Sequence, residues 1–192
     1  DLAAYIKVHK NPETLVIFPD IDMVSKSRGE DLKIELLKPE LCPRYSGIIL
    51  GNIQNVQSPD WIQNRLKAIG LRPINIIVDV TNYVLHELGQ PLHAFDLNYI
   101  QKKGIKIDTA RKGTKFITLD NKSITLSDKD LMIQSLDGEG YCIAGVYGGR
   151  DSGVKGTTNS IFLESACFDA KSIRTSSVTH EMRTESAKIF EK

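Results

Sequence analysis

The sequence predicts a mixed α/β fold, with a large mixed β-sheet and flanking helices. Helical and strand patterns are interspersed along the chain, and no internal repeat is present. The chain has 192 residues, of which 41% are hydrophobic and 26% charged, so it can bury a substantial core.

The first part of the chain predicts one helix and short strands. The helix spans Leu2 to His9, and two strands follow at Thr14–Phe18 and Leu32–Leu37. Between them, Ser25–Asp31 is polar and typical of a turn. A longer strand is predicted at Tyr45–Ile53, whose two glycines indicate the close approach of another backbone.

Two helices are predicted next. Ser58 suits an N-cap and Pro59 a first helical position, and Gly70 suits the end of the same helix. Its expected apolar face comprises Trp61, Ile62, Leu66 and Ile69. The second helix is expected from about Val80 to Leu88, with Asp79 or Thr81 near its start. We expect residues 89–96 to form an ordered loop that enters a cleft.

The second half predicts mostly strands. They are expected at Ile105–Ala110, Phe116–Leu119, Ser123–Leu126, Leu131–Gln134 and Tyr141–Ala144. Asp120–Lys122 is typical of a hairpin turn, and Gly145–Gly156 of a glycine-rich loop. After a last strand at Ser160–Leu163, helices are expected with Asp169 and Thr184 as N-caps.

Composition excludes several functional classes. The net charge of +1 shows no general nucleic-acid affinity, and no apolar run approaches the ~20 residues of a membrane span. Three scattered cysteines form neither a disulfide framework nor a metal motif. We therefore expect a cytoplasmic protein with no metal site and no membrane partner. The absence of an initiator methionine suggests a segment of a longer protein.

Each candidate site residue also has an ordinary structural explanation. An isolated histidine such as His93 is more often structural than catalytic. Gly148 and Gly149 could be present simply because glycine permits positive φ in a tight turn. Glu164 is the least ordinary, because a carboxylate that follows a buried strand must be paired or used. The other residues considered are expected to be surface groups (His9, His86 and His180), caps or turn formers (Asp79 and Asn82), or small core side chains (Cys142 and Cys167).

Six segments are too distinctive to result from local propensity alone. They are Cys42–Tyr45 (CPRY), Ser58–Trp61 (SPDW), Leu71–Asp96 (with VDVTNYV and GQPLHAFD), Ile143–Gly149 (IAGVYGG), Phe162–Ala166 (FLESA) and Arg183–Glu191 (RTESAKIFE). In this order they resemble the B3/B4 editing region of bacterial-type phenylalanyl-tRNA synthetase β subunits. The resemblance implies a B3/B4-like domain at residues 41–192 and a connecting segment at residues 1–40.

The resemblance also implies a function. The domain would hydrolyse the ester of tyrosine wrongly attached to tRNA(Phe), with the acceptor end of that tRNA as its ligand and no cofactor of its own. The parent enzyme would be an α2β2 ligase that joins phenylalanine to its tRNA with ATP and Mg²⁺, in contact with its α subunit. Two other functions stay open, a non-catalytic domain for tRNA positioning or subunit scaffolding, and a free-standing RNA-binding protein with the same fold.

The resemblance assigns seven site residues. They are His93 for the attacking water, Glu164 and the backbone near Gly148 for the tyrosine hydroxyl, Thr81 and Asn82 for other polar groups of the substrate, and Thr184 and Ser186 for the pocket wall. Family members usually carry alanine at position 186, so this chain adds one hydroxyl there. His93, with an expected pKa near neutral, would be either a general base or a group that positions the water. We favour positioning, since an aminoacyl ester is already labile.

Overall fold

The computed structural model describes residues 8–13 and 31–192. The chain divides into two units, residues 1–30 and residues 31–192. In the first unit, residues 8–13 are exposed and residues 8–9 are helical. The rest of the helix predicted at Leu2–His9, the strand predicted at Thr14–Phe18 and most of the turn predicted at Ser25–Asp31 lie outside the described residues.

The second unit contains four α-helices and ten strands among its described residues. The helices are α1 (Asp60–Ala68), α2 (Ile76–Leu88), α3 (Ala170–Thr179) and α4 (Glu185–Phe190). The strands are β1 (Lys33–Leu36), β2 (Arg44–Leu50), β3 (Leu92–Asp96), β4 (Gly104–Thr109), β5 (Lys115–Ile117), β6 (Ser123–Thr125), β7 (Leu131–Gln134), β8 (Gly140–Ile143), β9 (Tyr147–Gly148) and β10 (Ile161–Cys167). The predicted mixed α/β class is confirmed.

The strands form three sheets. A five-stranded mixed sheet has the order β1-β4-β7-β8-β9, with β1 and β4 parallel and the other neighbours antiparallel. An antiparallel three-stranded sheet has the order β2-β10-β3, and β5 pairs with β6 in a hairpin. The five-stranded sheet is the large mixed sheet that the sequence predicts, and the other strands belong to smaller sheets.

An aromatic core joins the two larger sheets. The ring of Phe95 on β3 lies 6.4 Å from that of Phe162 on β10 and 6.3 Å from that of Tyr141 on β8, measured between centroids. All three residues are at most 2% exposed. On the other face of the three-stranded sheet, Ala94 and Ile161 pack with Ile77 of α2. Burial of these apolar faces fixes one sheet on the other and leaves β3 and β10 beside β8.

Two helix starts differ from the prediction. Helix α2 begins at Ile76, about four residues early, because the Asn75 side chain accepts a hydrogen bond from the Val78 N–H at 3.1 Å. Asp79 is not a cap at its start, since its carboxylate accepts from the Ser58 hydroxyl and from the Ile74 N–H. Ser58 therefore does not cap α1, and Pro59 lies at the cap position instead of the first helical position.

Two strands around the site also differ. Residues 92–96 form β3, paired with β10, where the sequence predicted a loop. Strand β10 extends to Cys167, so Glu164 lies inside the strand and not after it. Both segments carry polar residues that hide the strand pattern, and the pairing partners that hold them are distant in sequence.

Several side-chain expectations are wrong. The side chain of His180 is only 6% exposed, with its Nε2 2.9 Å from Asp130 Oδ2, and Cys167 is exposed. On α1, Trp61 and Ile69 are 54% and 52% exposed, and only Ile62 and Leu66 of the predicted apolar face are buried. At Gly47 the space that a Cβ would need is filled by a side chain, the Phe162 ring.

Candidate functional site

The centre of the candidate site is a pair of directly opposed side chains. His93 on β3 is the register partner of Glu164 on β10, and Gly47 of β2 faces Glu164 from the other side. Opposed residues of an antiparallel pair project from the same face, with Cβ atoms about 5 Å apart. Pairing of the strands therefore brings together two residues that the sequence resemblance singled out separately.

These two side chains line a pocket between the three-stranded sheet, the end of β8, β9 and α4. The pocket holds about 400 Å³ of free space, part of it open to solvent. Its lining consists of Pro91, Leu92, His93, Cys142, Ile143, Gly145, Val146, Tyr147, Gly148, Glu164, Ser186 and Phe190. Four of the seven predicted site residues are in this lining. A mostly apolar pocket with a few polar groups is typical of a site for a small organic moiety.

Glu164 is a buried carboxylate with one resident partner. Glu164 is only 5% exposed, and its Oε2 accepts a hydrogen bond from the Tyr45 hydroxyl at 2.6 Å. Burial raises the pKa of Glu164 from 4.5 to about 7, against the opposing effect of the Tyr45 hydrogen bond. Oε1 makes no hydrogen bond to any residue of the described part of the chain. Glu164 therefore offers the pocket a carboxyl oxygen as a hydrogen-bond acceptor. The charge of this carboxyl group changes near neutral pH.

His93 is held neutral by burial. Its ring meets the Phe95 ring edge-on at 4.4 Å between centroids, and Nε2 is buried with no hydrogen-bond partner among the described residues. Burial lowers the pKa of His93 from 6.5 to about 4. The expectation of a near-neutral pKa is therefore wrong, because the sequence did not show how closely this ring is packed.

Gly148 lies against the His93 ring. A Cβ at this position would be 3.5 Å from His93 Cε1 and 3.9 Å from Nε2, which is ordinary contact. Neither Gly148 nor Gly149 has positive φ, so a need for positive φ does not explain these two glycines. In the same loop, Gly145 has a φ of +66°. Gly149 is required for space, because a Cβ there would lie 2.5 Å from the Tyr141 carbonyl oxygen. Gly148 has no such structural requirement.

Helix α4 contributes Ser186 to the pocket wall. Thr184 caps this helix as predicted, since its hydroxyl accepts from the Ala187 N–H at 3.1 Å. The same hydroxyl donates to the Val146 carbonyl at 3.0 Å, and Val146 lines the pocket. Thr184 itself is not in the lining, so it holds Ser186 and the loop around Val146 in place.

Thr81 and Asn82 lie apart from the pocket lining. Both are on α2, and the Thr81 hydroxyl donates to the Val78 carbonyl at 2.8 Å. Through Ile77, α2 packs on the face of the three-stranded sheet opposite to Glu164. The structure does not join these two residues to the pocket, and their predicted role stays a prediction.

The sequence missed Tyr45 as a site residue. Tyr45 belongs to the CPRY segment and to β2, but only the pairing of β2 with β10 places its hydroxyl on Glu164. Tyr147 and Phe190 were missed as pocket walls for the same reason. Cys142 lines the pocket too, but burial and the Glu164 charge raise its thiol pKa well above 9.0, so it is no thiolate nucleophile.

No group of three or more His, Cys, Asp or Glu side chains in residues 8–13 and 31–192 is arranged to hold a metal ion. Within the same ranges, no helix has the length and apolar character needed to cross a membrane.

Comparisons with known proteins agree on one relationship. The family described as the B3/4 domain matches residues 41–192. The phenylalanine–tRNA ligase β subunit of Porphyromonas gingivalis is 43% identical over 192 residues, which are 100% of this chain and 23% of that protein. The β subunit of Clostridium acetobutylicum is 45% identical over 172 residues, which are 88% of this chain and 22% of that protein. The chain thus spans less than a quarter of these relatives.

Among solved structures, an N-terminal fragment of the phenylalanyl-tRNA synthetase β subunit from Pyrococcus horikoshii is similar. It is 13% identical with a TM-score of 0.49, and the match covers 73% of this chain and 45% of that chain.

Proposed function

Because this chain belongs to the B3/4 domain family, in the form found in phenylalanine–tRNA ligase β subunits, we propose that it hydrolyses tyrosyl-tRNA(Phe). One observation carries the proposal: Glu164 and His93 face each other in a single pocket, the first as an acceptor and the second as a neutral imidazole. The pocket thus combines a group that recognises a hydroxyl with a group that handles water.

The proposed selectivity follows from the chemistry of the two amino acids. Tyrosine exceeds phenylalanine by one hydroxyl, which a pocket shaped for phenylalanine rejects only about 10²-fold. A second site built around a hydrogen bond to that hydroxyl discriminates far better. Glu164 supplies the acceptor, and the backbone near Gly148, across the pocket, supplies the donor to the same phenol oxygen.

The proposed reaction is ester hydrolysis. Water adds to the carbonyl carbon, the bond to the ribose oxygen breaks, and that oxygen takes the proton, giving free tyrosine and free tRNA. His93 orients the water through its imidazole, whose Nε2 is buried with no partner among the described residues. With a pKa of about 4, its imidazole is a weak base at neutral pH, which supports positioning over proton abstraction.

The other predicted contacts belong to the same proposal. Ser186 shapes the pocket wall, Thr184 holds it, and Thr81 and Asn82 contact polar groups of the substrate. The domain would need no cofactor and would work in the cytoplasm. It would be part of an α2β2 enzyme that binds the acceptor end of tRNA(Phe), contacts an α subunit and uses ATP and Mg²⁺ for aminoacylation.

The test is deacylation of tyrosyl-tRNA(Phe) by the chain, with phenylalanyl-tRNA(Phe) as the competing ester. We expect faster release of tyrosine than of phenylalanine, and a fall of about 10-fold or more in His93→Ala, since the variant no longer orients the water. His86→Ala is the matched control, because His86 is an exposed histidine on α2. Equal rates for both esters, or no hydrolysis above the uncatalysed rate, would leave tRNA positioning as the better explanation.

A further inference from the structure

The candidate site contains a resident phenol on the carboxylate that is proposed to recognise a substrate phenol. Tyr45 donates to Glu164 Oε2 at 2.6 Å, and its ring stacks on Phe162 with centroids 6.4 Å apart and planes 20° apart. Burial and the Glu164 charge raise the pKa of Tyr45 well above 10.0, so the hydroxyl keeps its proton and stays a donor. The ring is held by packing, and the hydroxyl is held by the carboxylate.

We propose that Tyr45 is a positioning residue for tyrosine selection: its hydroxyl holds Oε2 of Glu164 and leaves Oε1 to accept the phenol of the substrate. The proposal rests on the editing function above. Oε1 bonds to none of the described residues, whereas Glu164 lines the pocket. A carboxylate has four lone-pair sites and accepts two phenols without conflict. Without Tyr45, the carboxylate would be free to rotate and would lose its one resident donor.

The hydrogen bond also sets the charge of Glu164. It stabilises the carboxylate and so opposes the rise in pKa that burial causes. The other groups that face this carboxylate are His93 on β3, Cys142 on β8 and Cys42 just before β2. Burial holds the two thiols protonated and the imidazole neutral near pH 7. Glu164 is therefore the member of this cluster whose charge changes near neutral pH.

The first test compares the unmodified chain with Tyr45→Phe, which removes the hydroxyl and keeps the ring. The measured quantity is the ratio of kcat/KM for tyrosyl-tRNA(Phe) to that for phenylalanyl-tRNA(Phe), from about pH 6 to about pH 9. We expect the ratio to fall about tenfold at pH 7, because a hydrogen bond to a charged acceptor is lost. It should recover only in part as the pH rises, because the carboxylate then regains its charge but not its orientation. A purely structural role would not restore selectivity at high pH.

Tyr99→Phe is the matched control. Tyr99 also donates its hydroxyl to a glutamate, Glu139 at 2.9 Å, but neither residue lines the pocket. We expect this variant to keep the selectivity ratio of the unmodified chain at every pH. Loss of the ratio in both variants, or in neither, would contradict a specific role for Tyr45.

A second measurement separates failure of this inference from failure of the proposed function. The chain is labelled with ¹³C at the glutamate side-chain carboxyls, and the Glu164 signal is assigned from Glu164→Gln and titrated by NMR. We expect its midpoint in Tyr45→Phe to lie about one pH unit higher than in the unmodified chain. An unchanged midpoint overturns the role of Tyr45, whatever the hydrolysis shows. A raised midpoint in a chain that hydrolyses neither ester supports the positioning and rejects the editing function.

Discussion

Replacing Glu164 by Gln should remove an unfavourable pH dependence of folding. The pKa of Glu164 is about 7 in the folded chain and 4.5 for the unburied group. Because the folded pKa is raised, the contribution of this carboxyl to stability is fully present below pH 4.5 and is lost as the pH rises through 7. A difference of this size corresponds to about 3 kcal/mol. Gln has the same shape and can still accept from Tyr45.

His93 contributes with the opposite sign. Its folded pKa of about 4 lies below the ordinary 6.5, so its contribution is present above pH 6.5 and is lost as the pH falls through 4. The two cross-strand neighbours therefore oppose each other between pH 4.5 and 6.5. In Glu164→Gln only the His93 contribution of this pair remains. That contribution should raise the free energy of unfolding by about 3 kcal/mol as the pH rises from about 4 to 6.5.

The assay is urea unfolding followed by far-ultraviolet circular dichroism, at several pH values from about 4.5 to about 8. The informative quantity is the free energy of unfolding of the unmodified chain minus that of Glu164→Gln, since titrations common to both cancel. We expect this difference to fall by about 3 kcal/mol across the series. Glu139→Gln, an exposed carboxylate that also accepts from a tyrosine hydroxyl, is the control. A flat difference, or one that rises with pH, would refute a buried, neutral-to-charged Glu164.

Three further predictions concern the reaction. Gly148→Ala should fold, because the new Cβ would lie at an ordinary 3.5 Å from His93 Cε1, but the added methyl group in the pocket lining should reduce deacylation about tenfold or more. Gly153→Ala, where the nearest atom is 3.6 Å away and which is not in that lining, should keep full activity. The pH–rate profile for the tyrosyl ester should show an inflection near pH 7, and this inflection should persist in His93→Ala and vanish in Glu164→Gln. An inflection that vanishes in His93→Ala instead would identify the imidazole as the base. Hydrolysis should continue in excess chelator when tRNA folding is maintained, and loss of activity that zinc or magnesium restores would contradict a metal-free mechanism.

Local chemistry was predictable at several positions where it depends on residues close in sequence, although the equally local Asn75 cap of α2 was missed. Asp169 and Thr184 cap their helices through bonds to N–H groups three residues away. The turn at Asp120–Lys122 forms with Asn121 at positive φ, and Gly89 ends α2 in the left-handed conformation, as its position after the helix suggests. Family resemblance likewise named Glu164 and His93 without any knowledge of their neighbours.

Only the tertiary structure decided what those two residues do to each other. Tyr45 and Glu164, which its hydroxyl holds, are 119 residues apart in sequence. No local sequence pattern predicts a contact between residues so far apart. The pKa values of Glu164 and His93 move in opposite directions because both groups lose water when the two sheets close on the aromatic core. Sequence thus determined which residue types are available and where helices and turns end. Strand pairing and desolvation determined their charge and their partners, since both depend on chain segments that become neighbours only on folding.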